Sequence, residues 1–405
     1  MTRTGGLLIL IMVLSLAGAA AGQELDSSNR EALAAYQAGV ALVKSRDWTG
    51  AAGKFATAVR HDPEFSRAHF MLGLARGNLR QYTEAAACFE RALAIKPRDF
   101  DAQLGLAQAL LGAGLREKAE AAGKEALAID EDRHEAHYFM GQLYLDTDRI
   151  EDAVKAFGRS VALMPANPRY QERYATALAR VGRFADATDA LREAVRRAPK
   201  DAQLRRELGV LFFAESRYFD ALSQFMAAFA DPRQRDHDLF VYLMRSTYEI
   251  GVYPDSLQWA MNAERVKPND SGVLLFAANL YRTLRQYDAA RQMVQRVRAA
   301  APTAWQADFE LGMILFDQQK FREAADRFRR VTEAAPAHYE SWYHLGLALR
   351  KVGQRKEGER ALLKFKELKD AEKAGKEKAG VEAGLPDGPP AAPTTTAPTT
   401  APAVP

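Results

Sequence analysis

Apolar residues along this chain recur at helical spacing, and the stretches that carry them end at regular intervals. Pro63, Pro97, Pro165 and Pro199 each close such a stretch and fall on one 34-residue grid, with Glu131 at the grid point that lacks a proline. Proline is a natural helix stop, because it has no N–H to donate and restricts the residue before it. Pro268, Pro302 and Pro336 keep the same period in a second block. The two blocks are offset by one residue, since Pro199 and Pro268 lie 69 residues apart.

Other columns keep the step. Small residues recur at Gly39, Gly73, Ala107, Gly141, Ala175 and Gly209, then at Ala278, Gly312 and Gly346. Alanine recurs at Ala51, Ala85, Ala119, Ala153, Ala187, Ala221, Ala290 and Ala324. A large apolar column holds Phe55, Phe89, Phe157, Leu191, Phe225 and Phe328, and an aromatic column holds Trp48, Tyr82, Phe184, Tyr218, Tyr253, Tyr287 and Phe321. These columns predict helical hairpins. Small residues let two helices cross closely, the large residue fills the space between hairpins, and the aromatic packs at the corner. One hairpin cannot bury its apolar face alone, so its neighbours must stack on it.

His137, Met140, Gly141, Tyr144, Ala153, Phe157 and Pro165 stand at the spacings of a tetratricopeptide repeat, and Trp342-x-x-Leu345-Gly346 repeats part of that pattern. From about Ala32 to Leu368 the chain resembles this family. The resemblance implies an all-α fold: a right-handed α-solenoid of about ten helix-turn-helix units. Two departures stand out. Unit three has Gly123 where a large residue is usual and Glu131 where proline is usual, so looser packing and a second helix that runs on are expected there. Around Asp231 to Asp236 the period gains a residue, and unit seven then carries Met244 and Ser256 in small-residue columns. A bend between units six and seven and a one-residue loop insertion are equally good readings.

The ends differ from the repeats. Arg3, the apolar run Leu7 to Leu16 and the small residues Ala17 to Gly22 form a signal-peptide pattern with cleavage expected after Ala21. An uncleaved membrane anchor is the alternative. The last segment, from Leu385, is rich in Pro, Thr and Ala and should be an extended, disordered tail. The expected organisation is therefore a signal peptide (1–21), a linker (22–31), units one to six (32–236), units seven to ten (237–368), a charged helix (369–384) and the tail (385–405).

Charge narrows the class. The chain carries 56 basic and 52 acidic residues, a formal net charge of +4 over 405 residues. That field is too weak to imply nucleic acid. Cys88 is the one cysteine, which excludes an internal disulfide and reads as a small buried apolar residue. Zinc, redox, acyl-hydrolase and nucleotide motifs are all missing. His134 and His137 lie three apart on a helix and could share a metal with Asp132, but packing and solvent explain them better. No metal and no cofactor is expected, and an enzyme has little room outside the repeats.

In the resembled family the first helices of successive pairs line a concave groove. The residues expected to face it are Tyr138, Phe139, Gln142, Arg173, Tyr242, Arg245, Phe276, Asn279, Phe309 and Tyr343. Aromatic rings beside Arg, Asn and Gln suit a peptide or protein segment; the competing reading makes several of these rings core. The family's carboxylate clamp would need more than Arg169 and Arg173, since Leu104, Gln108 and Phe139 occupy the other positions. That speaks against a C-terminal carboxylate ligand. The expected function is a non-catalytic scaffold for protein or peptide partners, with no nucleic acid and with membrane contact only through an uncleaved N-terminal anchor. The signal, with the Ala- and Arg-rich usage, points to an exported bacterial protein that is periplasmic or secreted; inner-membrane anchoring is the alternative. An accessory subunit of a secretion, pilus or polysaccharide-export machine is the second functional reading.

Overall fold

The computed structural model describes residues 26–379. The expected signal peptide and the Pro/Thr/Ala tail lie outside these residues. The described chain contains twenty α-helices and no strand. Ten first helices alternate with ten second helices. The first helices are α1 (Arg30–Lys44), α3 (Ser66–Asn78), α5 (Phe100–Gly112), α7 (His134–Asp146), α9 (Pro168–Arg180), α11 (Ala202–Ala214), α13 (His237–Glu249), α15 (Ser271–Thr283), α17 (Trp305–Asp317) and α19 (Tyr339–Lys351). The second helices are α2 (Trp48–His61), α4 (Tyr82–Ile95), α6 (Arg116–Ile129), α8 (Ile150–Leu163), α10 (Phe184–Arg197), α12 (Tyr218–Phe229), α14 (Tyr253–Val266), α16 (Tyr287–Ala300), α18 (Phe321–Ala334) and α20 (Arg355–Ala379). None of the described helices is long and apolar enough to cross a membrane.

Local chemistry sets the boundaries. After Pro97, Pro165, Pro199 and Pro268 an Asp or Asn two residues on caps the next first helix: the Asp99 side chain accepts from the Ala102 N–H, and Asn167, Asp201 and Asp270 cap α9, α11 and α15 in the same way. Within every hairpin the turn is closed by one residue in the left-handed region. These are Arg46, Arg80, Gly114, Asp148, Gly182, Ser216, Gly251, Arg285, Gln319 and Gly353, with φ between 58° and 88°. The backbone then makes paired closing bonds: in unit two, Arg80 N–H donates to Gly77 O and Gln81 N–H to Arg76 O. Such a closure satisfies carbonyls that a helix end leaves orphaned. Six of these ten positions are not glycine and hold a conformation that side chains disfavour.

The chain forms two compact units that meet in sequence at Val181 and Gly182. The first holds α1 to α9 and the second α10 to α20. In both, the small and large columns interlock. A Cβ added to Gly141 would come within 2.7 Å of the Phe157 ring, and one added to Gly312 within 2.7 Å of Phe328. Phe55, Phe157, Phe225 and Phe328 are fully buried. The first helices of successive hairpins also touch within each unit: α3 with α5 and α5 with α7 in the first, α15 with α17 and α17 with α19 in the second. Each unit therefore presents a continuous face built from first helices.

Two expectations are corrected. Gly123 does not leave unit three loose, because the space of the missing side chain is taken by unit four: a Cβ on Gly123 would lie 2.6 Å from Met140 Sδ and 2.9 Å from the Phe139 ring. Nor does the second helix of unit three run on. α6 ends at Ile129, and the Asp130 N–H closes on Ala126 O as in other repeats. The closure comes from the backbone bond, so proline at the grid point is dispensable. At the one-residue insertion, Pro232–Gln234 forms a single 3-10 turn capped by Asp231, and Asp236 caps α13. Met244 and Ser256 meet there as a buried pair, with Ser256 Oγ donating to Met244 O at 2.7 Å. Cys88 is buried and unpaired in a disulfide, and burial pushes its thiol up.

Candidate binding face

In the first unit, Tyr138, Phe139 and Gln142 sit on α7 and Arg173 on α9. Phe139 is wholly buried, held under Gly123. Tyr138 stacks on Tyr170 with centroids 4.7 Å apart and meets the Phe157 edge at 5.6 Å. Burial raises its phenol, against the pull of Arg173. Gln142 Nε2 donates to the Tyr138 hydroxyl at 3.2 Å, while Gln142 Oε1 is buried without a hydrogen-bond partner. Arg173 Nε and Gln108 Oε1 share that condition. Tyr138, Gln142 and Arg173 are thus brought together, with Gln142 and Arg173 half-buried above an aromatic floor. The two histidines are explained by protein groups: His134 Nδ1 lies 2.9 Å from the Tyr170 hydroxyl, and His137 Nε2 lies 2.8 Å from Glu131 O.

In the second unit, Tyr242 stacks on Phe225 at 5.0 Å and is buried, with its phenol pushed up to about 12 by desolvation. The Arg245 guanidinium lies 5.9 Å over the Phe213 ring. Burial lowers its basicity. Phe276 meets Tyr248 edge-on at 5.0 Å, and Asn279 is buried beside it in sequence on α15. Phe309 lies between Phe328, His338 and His344, at 5.8, 5.0 and 5.9 Å. Tyr343 alone among these six is exposed, at 38%, with its ring 5.1 Å from Phe365 of α20. The rings of Tyr242, Phe276 and Phe309 therefore form floor, and Tyr343 stands at the surface.

Sequence reasoning passed over one group. Glu310 on α17 lies 34 residues after Phe276 and 34 before His344, in the column that begins with Tyr242. It is 5% exposed, and its Oε2 has no hydrogen-bond partner. Desolvation pushes its carboxyl up to about 7, against the pull of Arg282 and with the push of Asp317. Arg282 Nη1 is itself held by Asp317 Oδ2 at 2.7 Å. His344 is pushed down to about 4, first by burial and then by Arg282 and His338, and its Nδ1 is unpartnered. From unit seven on, an acid in a column otherwise filled by rings was the signal available from sequence. Among the described residues, no group of three or more His, Cys, Asp and Glu could hold a metal ion.

One family model, described as tetratricopeptide repeat, matches the chain over residues 36–76, 70–134, 138–187, 173–236, 277–320 and 309–375. The chain belongs to the tetratricopeptide repeat family. No curated protein matches it at a significant level. Among solved structures, the tetratricopeptide protein YrrB, described as having an unusual peptide-binding site, is 21% identical, with a TM-score of 0.43 over 48% of this chain and 97% of that one. Pseudomonas aeruginosa PilF is 19% identical, with a TM-score of 0.42 over 52% of this chain and 96% of that one. MamA of Desulfovibrio magneticus is 18% identical, with a TM-score of 0.38 over 42% and 96%.

Proposed function

We propose that this protein is a non-catalytic scaffold of the cell envelope that holds a peptide or protein segment along the face formed by its first helices. Tetratricopeptide arrays serve in general as protein-interaction scaffolds, and stacked repeats supply long binding surfaces. The observation that carries the proposal is the set of polar side-chain atoms buried on first helices without a hydrogen-bond partner: Gln108 Oε1, Gln142 Oε1 and Arg173 Nε in one unit, Glu310 Oε2 and His344 Nδ1 in the other. Buried groups of this kind are rare and costly when left unsatisfied. A segment laid along the face would supply donors and acceptors to them. Tyr138, Phe139, Tyr242, Arg245, Phe276, Asn279 and Phe309 form the floor in this reading. Gln142, Arg173 and Tyr343 make the contacts at the surface. No cofactor, metal, nucleic acid or chemical step is assigned to it.

The test is site-specific photo-crosslinking in the native envelope. A photoreactive residue at position 142 or 343 should trap a discrete partner. One at Phe219, exposed on second helix α12, should not. Adducts at 219 with none at 142 or 343 would place docking on the other face and overturn the proposal.

A further inference from the structure

We propose that the first-helix face of the second unit contains a subsite for a basic side chain, lysine or arginine, with Glu310 as its counter-ion. This rests on the reading that the face holds a peptide or protein segment, and it names the chemistry such a segment would carry.

Glu310 is the centre of a cluster contributed by four successive first helices. Arg282 of α15 and Asp317 of its own α17 act on it, it acts on Tyr248 of α13, and His344 of α19 shares the Arg282 charge with it. The nearest cation is already committed. Arg282 is buried and its Nη1 donates to Asp317, while its Nε has no hydrogen-bond partner; no ion pair to the Glu310 carboxyl is formed among the described residues. The same column holds Phe276 one repeat earlier and Tyr242 two repeats earlier. A ring at position 310 would satisfy packing, and burying a carboxyl there without a partner costs free energy.

The unpartnered atoms of the cluster are Glu310 Oε2, His344 Nδ1 and Arg282 Nε. An ionised carboxylate only accepts hydrogen bonds, and a neutral imidazole offers one lone pair. Burial keeps His344 neutral throughout the neutral pH range. The Glu310 and Asp317 carboxylates outnumber the one Arg282 guanidinium beside them, so the cluster has one negative charge left over when Glu310 is ionised, which suits an ammonium or guanidinium group. Phe276 and Phe309, on the adjoining helix and the adjoining position, are apolar neighbours for the stem of a long basic side chain.

Burial also gives the subsite a pH signature. A cation binds the ionised carboxylate, and Glu310 is held neutral up to about pH 7. Affinity should therefore rise as pH rises through 7, and fall by up to roughly tenfold per pH unit below it. His344, pushed down to about 4, does not titrate between pH 6 and 8, and Tyr248 is raised above its ordinary value of 10.0.

The experiment is selection of a random dodecapeptide display library on the full chain, followed by binding of synthetic winners. The expected result is enrichment of lysine or arginine at one register. A winner should lose at least tenfold in affinity when that residue becomes norleucine, and should lose it equally against Glu310→Gln. It should also bind about fivefold more weakly at pH 6 than at pH 7. The norleucine and pH arms need no variant, so they decide the matter even if Glu310→Gln folds poorly. Winners without a basic residue, bound equally by Glu310→Gln and flat with pH, overturn the subsite while leaving the scaffold reading in place. Failure of every peptide to bind overturns both.

Discussion

The two compact units are built from the same columns yet carry different chemistry on their first helices. In the first unit the charged groups are paired across repeats: Arg133 reaches Asp101 at 3.2 Å and stacks 4.1 Å over Phe100. Single atoms are left without a hydrogen-bond partner: Gln108 Oε1, Gln142 Oε1, Arg173 Nε and Arg67 Nη2. In the second unit the corresponding surface buries Glu310, Arg282 and Arg245, and a neutral His344. The small and large columns must repeat because they set the distance between helices. The columns beside them are free to vary, because a change there alters the local polar partners and leaves the hairpin geometry intact. Position in the repeat thus separates architecture from recognition.

The comparison can be broken at its shared part. Phe157→Ala and Phe225→Ala should each cost roughly 3–5 kcal/mol, since both rings are fully buried against small residues of the crossing helix. Urea unfolding measures this. A loss confined to one unit would show that the large column does not serve both alike. Tyr242→Ala belongs in this class, because Tyr242 is stacked on Phe225. It should lower stability before it touches binding.

Next in size is the difference in pH response. The Glu310 carboxyl binds its proton more tightly folded than unfolded, 4.5 rising to about 7. Its penalty is thus full above pH 7 and fades as pH falls towards 4.5, about 3 kcal/mol in all. His344 runs the other way, 6.5 falling to about 4, so its penalty appears as pH falls. The two offset each other between about pH 4.5 and 6.5. Glu310→Gln should therefore stabilise the second unit at pH 8 and lose that advantage by pH 4.5. Amide exchange of α17 and α19 across this range is the readout, with α5 and α7 of the first unit as the unmoved reference. A variant no more stable than wild type at pH 8 would remove the buried charge from the comparison.

Gly123→Ala sharpens the first unit. The new methyl meets Met140 and Phe139, so a loss of about 1–3 kcal/mol is expected from overpacking. Gly53→Ala, inside α2 with nothing within 4 Å, should instead gain about 0.5–1 kcal/mol. Thermal melts compare the two. Smallest are the turns. Arg80→Gly and Ser216→Gly release a left-handed side-chain conformation and should gain some tenths to about 1 kcal/mol, one in each unit. A loss at either would mean that the side chain holds the turn by other contacts.

Much of the fold was legible in the sequence. The 34-residue period, the column of Gly39, Gly73 and Gly141 and the facing Phe55, Phe89 and Phe157 name the hairpins and their crossing. They do so because each contact lies within one repeat or between neighbours, so sequence spacing is close to spatial spacing. The left-handed turn positions were hidden. Six are not glycine, and the conformation is imposed by the closing backbone bonds. The depth of each side chain was hidden as well. Helical periodicity says that Tyr242, Phe276 and Tyr343 share a face, yet two lie in the floor and one stands at the surface. That depends on how closely successive first helices approach, which is a matter of packing between repeats. Gly123 makes the same point, because its compensation comes from Phe139 and Met140 in the next unit. By itself, then, the sequence determined the helices, their pairing and their stacking order, through local periodicity. Only the tertiary structure decided which polar atoms are cut off from water and from partners, because desolvation depends on everything packed around an atom and on nothing that a single column records.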